Sequence, residues 1–198
     1  SVRCVIRSCA TNEKLRQLEE WGMEWVKGDL LNGGVRRRAL EGVQTVVHLA
    51  HIRYGAALLA DTPSEVERVV LMSSLWRFSR VPSAAVDEVV ESEHAVEGSD
   101  NPWVLLRPSM IYGPGNDRNI SRLRTHLHRW RWIPIFGSGY AVHQPVYVED
   151  VVGATMSILE LHACDLFLVL AWNDISSGTM QIGRHGSDLG VLEFGRTR

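Results

Sequence analysis

Lysine and cysteine are both scarce in this 198-residue chain. Of 21 lysines and arginines only Lys14 and Lys27 are lysines, which leaves 19 arginines. Any chemistry that needs a lysine ammonium group has only these two positions to draw on. The three cysteines are an odd number without regular spacing, which excludes a disulfide framework and favours a reducing compartment. We therefore expect a cytoplasmic protein.

Long hydrophobic runs and a strong net charge are also missing. The longest apolar run, Leu166–Trp172, has seven residues, far fewer than the ~20 that cross a bilayer. The net charge of -2 argues against a nucleic-acid partner, because binding to phosphates is driven by accumulated positive charge. His126 and His128 are two residues apart, a spacing that does not converge on a metal on a helix. We expect a small-molecule substrate as partner, with no membrane and no metal, and the oligomeric state stays open, a homodimer included.

The chain does contain a regular alternation of β-rich runs and helical patterns. This alternation predicts an α/β fold with a parallel sheet covered by helices on both faces. Two apolar runs, Thr45–Ala50 and Arg68–Ser73, should be adjacent and central in that sheet. The other predicted strands are Val2–Ile6, Met23–Val26, Trp103–Leu106 and Leu166–Ala171, and the predicted helices are Asn12–Glu20 (capped by Asn12), Val35–Leu40, Gly55–Ala60, Ala84–Val96, Arg118–Trp130 and Asp150–Leu161.

Six segments follow one another in a recognisable order. They are Val2–Ser8, Gly28–Leu30, Val46–Ala50, Val69–Ser74, Leu106–Gly115, and Phe136–Gly139 with His143–Val151. In this order they resemble the extended short-chain dehydrogenase/reductase family, which includes nucleotide-sugar epimerases and dehydratases. The resemblance implies a doubly wound, mostly parallel Rossmann-type sheet, with residues 1–115 as the cofactor-binding core and residues 116–198 as a small C-terminal substrate lobe. It also implies an NAD(P)-dependent oxidoreductase, epimerase or dehydratase that acts on a sugar nucleotide or another hydroxyl or carbonyl substrate.

The resemblance further implies where the cofactor would bind. Arg7 lies where a strand tip meets the adenosine ribose, and its guanidinium suits the 2′-phosphate of NADP, so NADP is slightly favoured over NAD. Asp29 either contacts adenine or caps the turn before Leu31. The implied cofactor-binding residues are Arg7, Asp29, Leu30, Leu49, Ala50, His51, Ser73, Pro108 and Ile111.

The implied substrate residues have simpler alternatives. Ser74 resembles the family's catalytic Ser/Thr at a strand tip, but its hydroxyl could equally satisfy a backbone group. Arg118 and Arg122 lie in a basic helical segment that reaches a nucleotide-sugar diphosphate in relatives, and the alternative is a solvated helix. The run Arg36–Arg38 is interpreted as surface charge. Trp130 and Trp132 are expected to pack against the sheet.

One departure from the family concerns the phosphate-binding turn. Dinucleotide folds begin with a strand, a glycine-rich turn and a helix whose N-terminus holds the pyrophosphate. Nothing of this kind precedes the first predicted strand. We therefore expect such a segment before Ser1 in the sequence, with its strand placed in the sheet between the strands that begin at Val2 and Thr45. The glycines of Gly183–Gly190 have no convincing strand before them and are interpreted as a loop.

A second departure concerns the chemistry. The family uses a Tyr-x-x-x-Lys pair, in which the lysine lowers the pKa of the tyrosine. Counting back from Trp103, these positions fall near Ala85 and Val89, and no Tyr-x-x-x-Lys occurs anywhere in the chain. Glu91, Glu93 or His94 could substitute, but they are better explained as a solvated helical face. The leading hypothesis is still an enzyme; the alternatives are a catalytically impaired NAD(P)-binding sensor or assembly subunit and, least favoured, an RNA-associated relative.

Overall fold

The chain forms two compact units. A computed structural model describes residues 1–114, 117, 120–134 and 144–160, and the backbone of 166–170, 179–184 and 189–193. The first unit consists of Ser1–Ser73 with Arg80–Val104, and the second of Ser74–Ser79 with Leu105–Arg198. The division at residue 115 between cofactor core and substrate lobe stays a prediction.

Strands and helices alternate throughout the first unit, as the sequence predicts. Its strands are β1 (Arg3–Ile6), β2 (Glu24–Lys27), β3 (Thr45–His48) and β4 (Arg68–Met72), and β5 (Trp103–Pro108) begins there. Its helices are α1 (Asn12–Glu20), α2 (Gly33–Leu40), α3 (Gly55–Ala60) and α4 (Ala84–Glu97). Asn12 is the first residue of α1 rather than its cap, because Thr11 takes the extended cap position without a side-chain hydrogen bond.

The strands of the first unit pair in parallel. β1 pairs with β2, Arg3 opposite Glu24, and β3 pairs with β4, Thr45 opposite Arg68. The predicted parallel adjacency of the latter two strands is confirmed, but the prediction that both are central is wrong for β3. In the described part of the chain β3 ends its sheet, and β1 is joined only to β2. Both therefore have an unpaired edge.

The core of the first unit forms where α3 and α4 meet β4. Val69, Val70 and Leu71 of β4 are at most 1% exposed, and burying each such side chain contributes about 1.5–3 kcal/mol. Gly55 begins α3 at the contact: a Cβ there would lie 3.1 Å from Leu71 Cδ2 and 3.3 Å from Val96 Cγ2 of α4. The glycine thus allows the helix to approach both elements closely.

The arginine run in α2 is only partly surface charge. Arg36 is 12% exposed and its Nε donates to Asp61 Oδ2 at 2.7 Å. Its Nη1 donates to the Leu30 carbonyl at 2.6 Å. The surface prediction is therefore wrong for Arg36, since the packing of α2 near the end of α3 brings a carboxylate within its reach. Arg37 is 67% exposed and lies 3.5 Å from the same carboxylate.

The second unit adds antiparallel strands. Its elements are β6 (Ile111–Tyr112), α5 (Ile120–Trp130), β7 (Val146–Tyr147), α6 (Val148–Glu160), β8 (Leu166–Leu170), β9 (Thr179–Arg184) and β10 (Leu189–Glu193). β9 pairs antiparallel with both β8 and β10. Gly183 and Gly190 lie in these strands, so the loop interpretation is wrong for them. Apolar residues alternate too weakly around them to have indicated a hairpin.

Two of the six segments that resemble the family, Leu106–Gly115 and His143–Val151, contribute paired strands to the second unit. β6 and β7 pair in parallel, Ile111 opposite Val146 and Tyr112 opposite Tyr147, with the two tyrosine rings 5.4 Å apart. Gly113 follows β6 and faces Val148, so closely that an added Cβ would overlap the valine side chain. A residue without a side chain is required there.

We predict opposite effects for two glycine substitutions in this unit. Gly113→Ala should lower the free energy of unfolding by about 1–3 kcal/mol, since the methyl group overlaps Val148. The control is Gly153→Ala in α6, where nothing lies within 4 Å of an added Cβ. It should raise stability by about 0.5–1 kcal/mol, because alanine favours the helix. Urea unfolding measures both, and equal effects would contradict the described packing.

Candidate functional site

The candidate residues of the first unit follow the carboxyl ends of its parallel strands. In open α/β sheets, ligands bind beside these ends. Arg7 comes directly after β1 and is exposed, and Asp29 follows β2 and is also exposed. These two side chains are accessible to a ligand from solvent.

Asp29 is exposed to solvent and also stabilises the turn in which it lies. Its Oδ1 accepts a hydrogen bond from the Leu31 backbone N–H at 2.9 Å, and its carbonyl accepts from Asn32 at 3.0 Å. The turn before α2 is therefore capped by Asp29, the alternative that the sequence left open. This cap uses only Oδ1. The second carboxylate oxygen could accept a hydrogen bond from adenine, and that role stays a proposal.

Three candidate residues, Leu49, Ala50 and His51, follow β3. Leu49 is 67% exposed, while His48, the last residue of the strand, is 5% exposed. The His48 ring Nε2 lies 3.2 Å from the His51 carbonyl oxygen, so it donates a hydrogen bond there in the corresponding tautomer. Burial lowers the pKa of His48, and the hydrogen bond to His51 partly offsets this. The buried histidine fixes the path of the loop.

A small charged cluster surrounds His51. Its Nε2 lies 3.8 Å from Glu88 Oε2 on α4, and Arg53 Nη1 lies 3.5 Å from Glu88 Oε1. His51 Nδ1 accepts from the Arg53 backbone N–H at 3.3 Å. This bond places the neutral-state proton on Nε2, toward Glu88. Sequence inspection missed Glu88, because the histidine and the glutamate are 37 residues apart in the chain.

Ser73, at the end of β4, binds a buried carboxyl group. Its Oγ hydrogen bonds to Glu93 Oε1 of α4, and Glu93 is 0% exposed. The interpretation of a solvated face is therefore wrong for Glu93. A signal was present: Val89, Glu93 and Val96 are spaced by four and three residues, the spacing of one helical face, and both valines are buried.

The second unit holds the remaining candidates. Ser74 Oγ accepts from the Trp76 backbone N–H at 3.2 Å, so its hydroxyl satisfies a backbone group. Pro108 is buried at the end of β5, and Ile111 is 36% exposed. Arg122 is exposed on α5, while Arg118 lies outside the described residues.

α4 contains Ala85 and Val89, the positions to which the sequence resemblance assigns the family's acid/base pair. The helix spans Ala84–Glu97 and begins at Ser83, whose hydroxyl accepts from the Val86 N–H at 3.3 Å. Ala85 and Val89 are four residues apart and hence on one face. Val89 is 2% exposed. An alanine methyl group and a buried valine cannot carry a proton.

Comparison with known families bears on the same helix. The family model for the NAD dependent epimerase/dehydratase family matches residues 83–165, from the cap of α4 to the end of the segment after α6. This part of the chain, less than half of its length, is similar to that family.

Solved structures of the family share the fold. UDP-glucuronic acid 4-epimerase from Bacillus cereus is 16% identical, with a TM-score of 0.70 over 87% of this chain and 70% of that one. A double mutant of dTDP-glucose 4,6-dehydratase from Streptomyces venezuelae is 18% identical, with a TM-score of 0.67 over 84% of this chain and 65% of that one. Both of those structures contain NAD. The chain thus has the Rossmann-type α/β fold.

One curated relative is a subunit of a larger enzyme complex. Subunit 9 of the alpha subcomplex of mitochondrial NADH dehydrogenase [ubiquinone] from Arabidopsis thaliana is 27% identical over 110 residues. The match covers 56% of this chain and 27% of that subunit, so the chain spans about a quarter of its length.

We predict that His48 makes stability depend on pH. Its pKa in the folded chain lies below the ordinary 6.5, so at falling pH the unfolded chain binds a proton that the folded chain does not. The free energy of unfolding should therefore decrease as the pH falls below about 6.5, by up to about 1.4 kcal/mol per pH unit.

Urea unfolding at a series of pH values measures this effect. His48→Gln keeps an amide donor for the His51 carbonyl but does not titrate, so its stability should fall less steeply. His128→Gln, at an exposed histidine of α5, is the matched control and should follow the parent chain. An equally steep decline in His48→Gln would exclude His48 as the source.

Proposed function

We propose that this protein binds a nicotinamide dinucleotide as the sugar-nucleotide epimerases and dehydratases do, but transfers protons poorly or not at all. The family of residues 83–165 and the parallel strand ends support the binding half of this proposal. The observation that carries the other half is the buried Val89, with Ala85 one turn before it. The proposed role is that of a cofactor-binding sensor or assembly subunit.

The residues at the strand ends fit the adenosine part of the cofactor. The exposed guanidinium of Arg7 offers bidentate hydrogen bonds that match a phosphate, and Asp29 offers a carboxylate oxygen to an amino group. Leu49 adds an exposed apolar surface for a ring to cover. For the pyrophosphate, α2 offers little, since Asn32 already accepts from the N–H groups of Gly34 and Val35.

The weak-catalyst proposal follows from acid–base chemistry. Abstracting a hydroxyl proton near neutral pH requires a base with a pKa near the working pH. Ser74 Oγ already accepts a hydrogen bond from the Trp76 backbone N–H. A serine hydroxyl without a paired base does not act as a general base near neutral pH. When bound, NAD would accept a hydride, but the accompanying hydroxyl proton has no acceptor at Ala85.

A retained enzymatic activity is the second candidate. The pair of His51 and Glu88 favours it, because Glu88 lies next to Val89 on α4 and its Oε2 lies 3.8 Å from His51 Nε2, so that two groups able to accept a substrate proton are close together. The substrate in that case would be a sugar nucleotide or another hydroxyl compound, as for the structural relatives. The relative in NADH dehydrogenase favours the non-catalytic role instead.

Arg7 should discriminate between the two dinucleotides. We expect Arg7→Ala to weaken NADP binding by about 1–3 kcal/mol, the value of a charged hydrogen bond, and NAD binding by less. Titration calorimetry with both cofactors measures the difference. Arg16→Ala, at an exposed arginine of α1, is the control and should change neither affinity. Equal losses for NAD and NADP would remove the 2′-phosphate role.

Turnover should be low even when the cofactor is bound. General acid–base help contributes about 10²–10⁴-fold, and we expect the chain to lack this factor with sugar nucleotides and NAD, measured by absorbance of NADH. Glu88→Gln should leave the residual rate unchanged. Robust turnover that falls in this variant would favour the second candidate, and robust turnover that falls in Ser74→Ala would assign a catalytic role to Ser74.

A further inference from the structure

Helix α5 has an apolar face that is partly exposed in the described part of the chain. Ile120, Leu123, Leu127 and Trp130 are spaced by three, four and three residues, so they form one stripe along the helix. Leu123 and Leu127 are 36% and 38% exposed and Trp130 is 54% exposed. No residue of the helix is buried. The expectation that Trp130 and Trp132 pack against the sheet is therefore wrong.

An isolated helix of this length is only marginally stable. Helices shorter than about 12–15 residues gain most of their stability from packing of an apolar face, and α5 has 11 residues. Asp117 supports its first turn, accepting from the N–H and hydroxyl of Ser121. The stripe nevertheless exposes three large side chains in a row. Such a patch usually marks an interaction surface.

The charges beside the stripe indicate the nature of its partner. Residues 120–134 contain four arginines and two histidines but no aspartate or glutamate, although the whole chain is slightly acidic. Arg124 and Arg131 line one groove with Leu123 and Leu127. Arg122 and Arg129 are seven residues apart and lie together on the opposite side of the helix. The surface complements a partner that is both apolar and anionic.

We propose that the stripe and arginines of α5 bind the surface of a bilayer that contains anionic lipids. A helix with leucine and tryptophan on one face and arginine on the other lies in the plane of the lipid headgroups. Arginine side chains extend their stems along the apolar face and keep the charge at the phosphates. Trp130 and Trp132 are of the type that concentrates at this boundary.

This surface attachment needs no spanning segment. No helix in the described part of the chain is long and apolar enough to cross a membrane. The nucleotide-sugar role of Arg122 uses the charge of α5 but gives no use to the exposed leucines. A phosphate-bearing apolar surface uses both.

Vesicle flotation with the full 198-residue chain tests the proposal. The chain should float with vesicles of phosphatidylcholine and phosphatidylglycerol, and hardly with phosphatidylcholine alone. Each arginine near an anionic surface adds about 1 kcal/mol, or roughly fivefold in affinity. Arg124→Glu with Arg129→Glu should therefore lower the binding more than tenfold, and raised salt should weaken it.

The apolar half of the surface has a matched control in the same unit. Leu123→Glu with Leu127→Glu should abolish flotation. Val152→Glu with Met156→Glu, also exposed and four residues apart on α6, should leave it intact. Circular dichroism identifies any unfolded variant, and the arginine pair then decides the question.

Several results would overturn the proposal. They are absence of binding to anionic vesicles, equal binding to neutral ones, and equal loss in the α6 control. A chain that forms dimers through α5, shown by loss of the dimer in the leucine variant and no flotation in the parent, would assign the stripe to a second copy. Binding of single-stranded RNA in place of vesicles, lost in the arginine variant, would assign it to nucleic acid.

Discussion

The first unit depends on one buried carboxyl group that must keep its hydrogen bond. Glu93 is fully enclosed, and an unsatisfied polar group in such a place costs several kcal/mol. Its bond to Ser73 therefore fixes the end of β4 to the middle of α4. Because α4 is a continuous helix, fixing Glu93 against Ser73 also fixes the positions of the residues in its first turns. Glu88 is thereby held beside His51, and Val89 is held in the core.

The proposed function assigns cofactor binding and proton transfer to different parts of this fold. Binding at the strand ends would use exposed groups, such as Arg7 and Asp29. The family that the sequence resembles transfers protons with a tyrosine and a lysine on one helix face, and counting along the chain assigns their positions to Ala85 and Val89 of α4. Val89 is buried there, so a charged side chain at this position would need a partner in the core. On this proposal the architecture for binding is kept without the groups that transfer protons.

The fold was largely predictable because its signals are local and repeated. Apolar runs and helical periodicity gave the order of strands and helices in the first unit, and the parallel pairing of β3 with β4 followed from that order. The errors arose where a distant partner decides the outcome. Arg36 is largely buried because it pairs with Asp61, 25 residues further along the chain. Glu93 is buried with a hydrogen bond to Ser73, which lies 20 residues before it. The edge position of β3 depends on which other strands pair with it, which no local pattern contains.

The candidate site divides along the same line. Positions that follow a strand, such as Arg7, Asp29 and His51, could be named from the sequence, since the strand ends themselves were visible. The partnership of His51 with Glu88 could not, because it joins a loop to a helix that begins 33 residues later. The task of Asp29 in its own turn was foreseeable from residue type, as aspartate commonly caps the turn it begins.

The two unpaired strand edges have a consequence for handling the protein. An edge strand with free backbone donors and acceptors recruits further strands, and natural proteins commonly guard such edges with lysine or proline. β3 has neither, and Val47 on β3 and Val5 on β1 are 38% and 36% exposed. Concentrated or warmed solutions of these 198 residues should therefore lose protein to β-rich aggregates, through the edges that are unpaired in the described part of the chain.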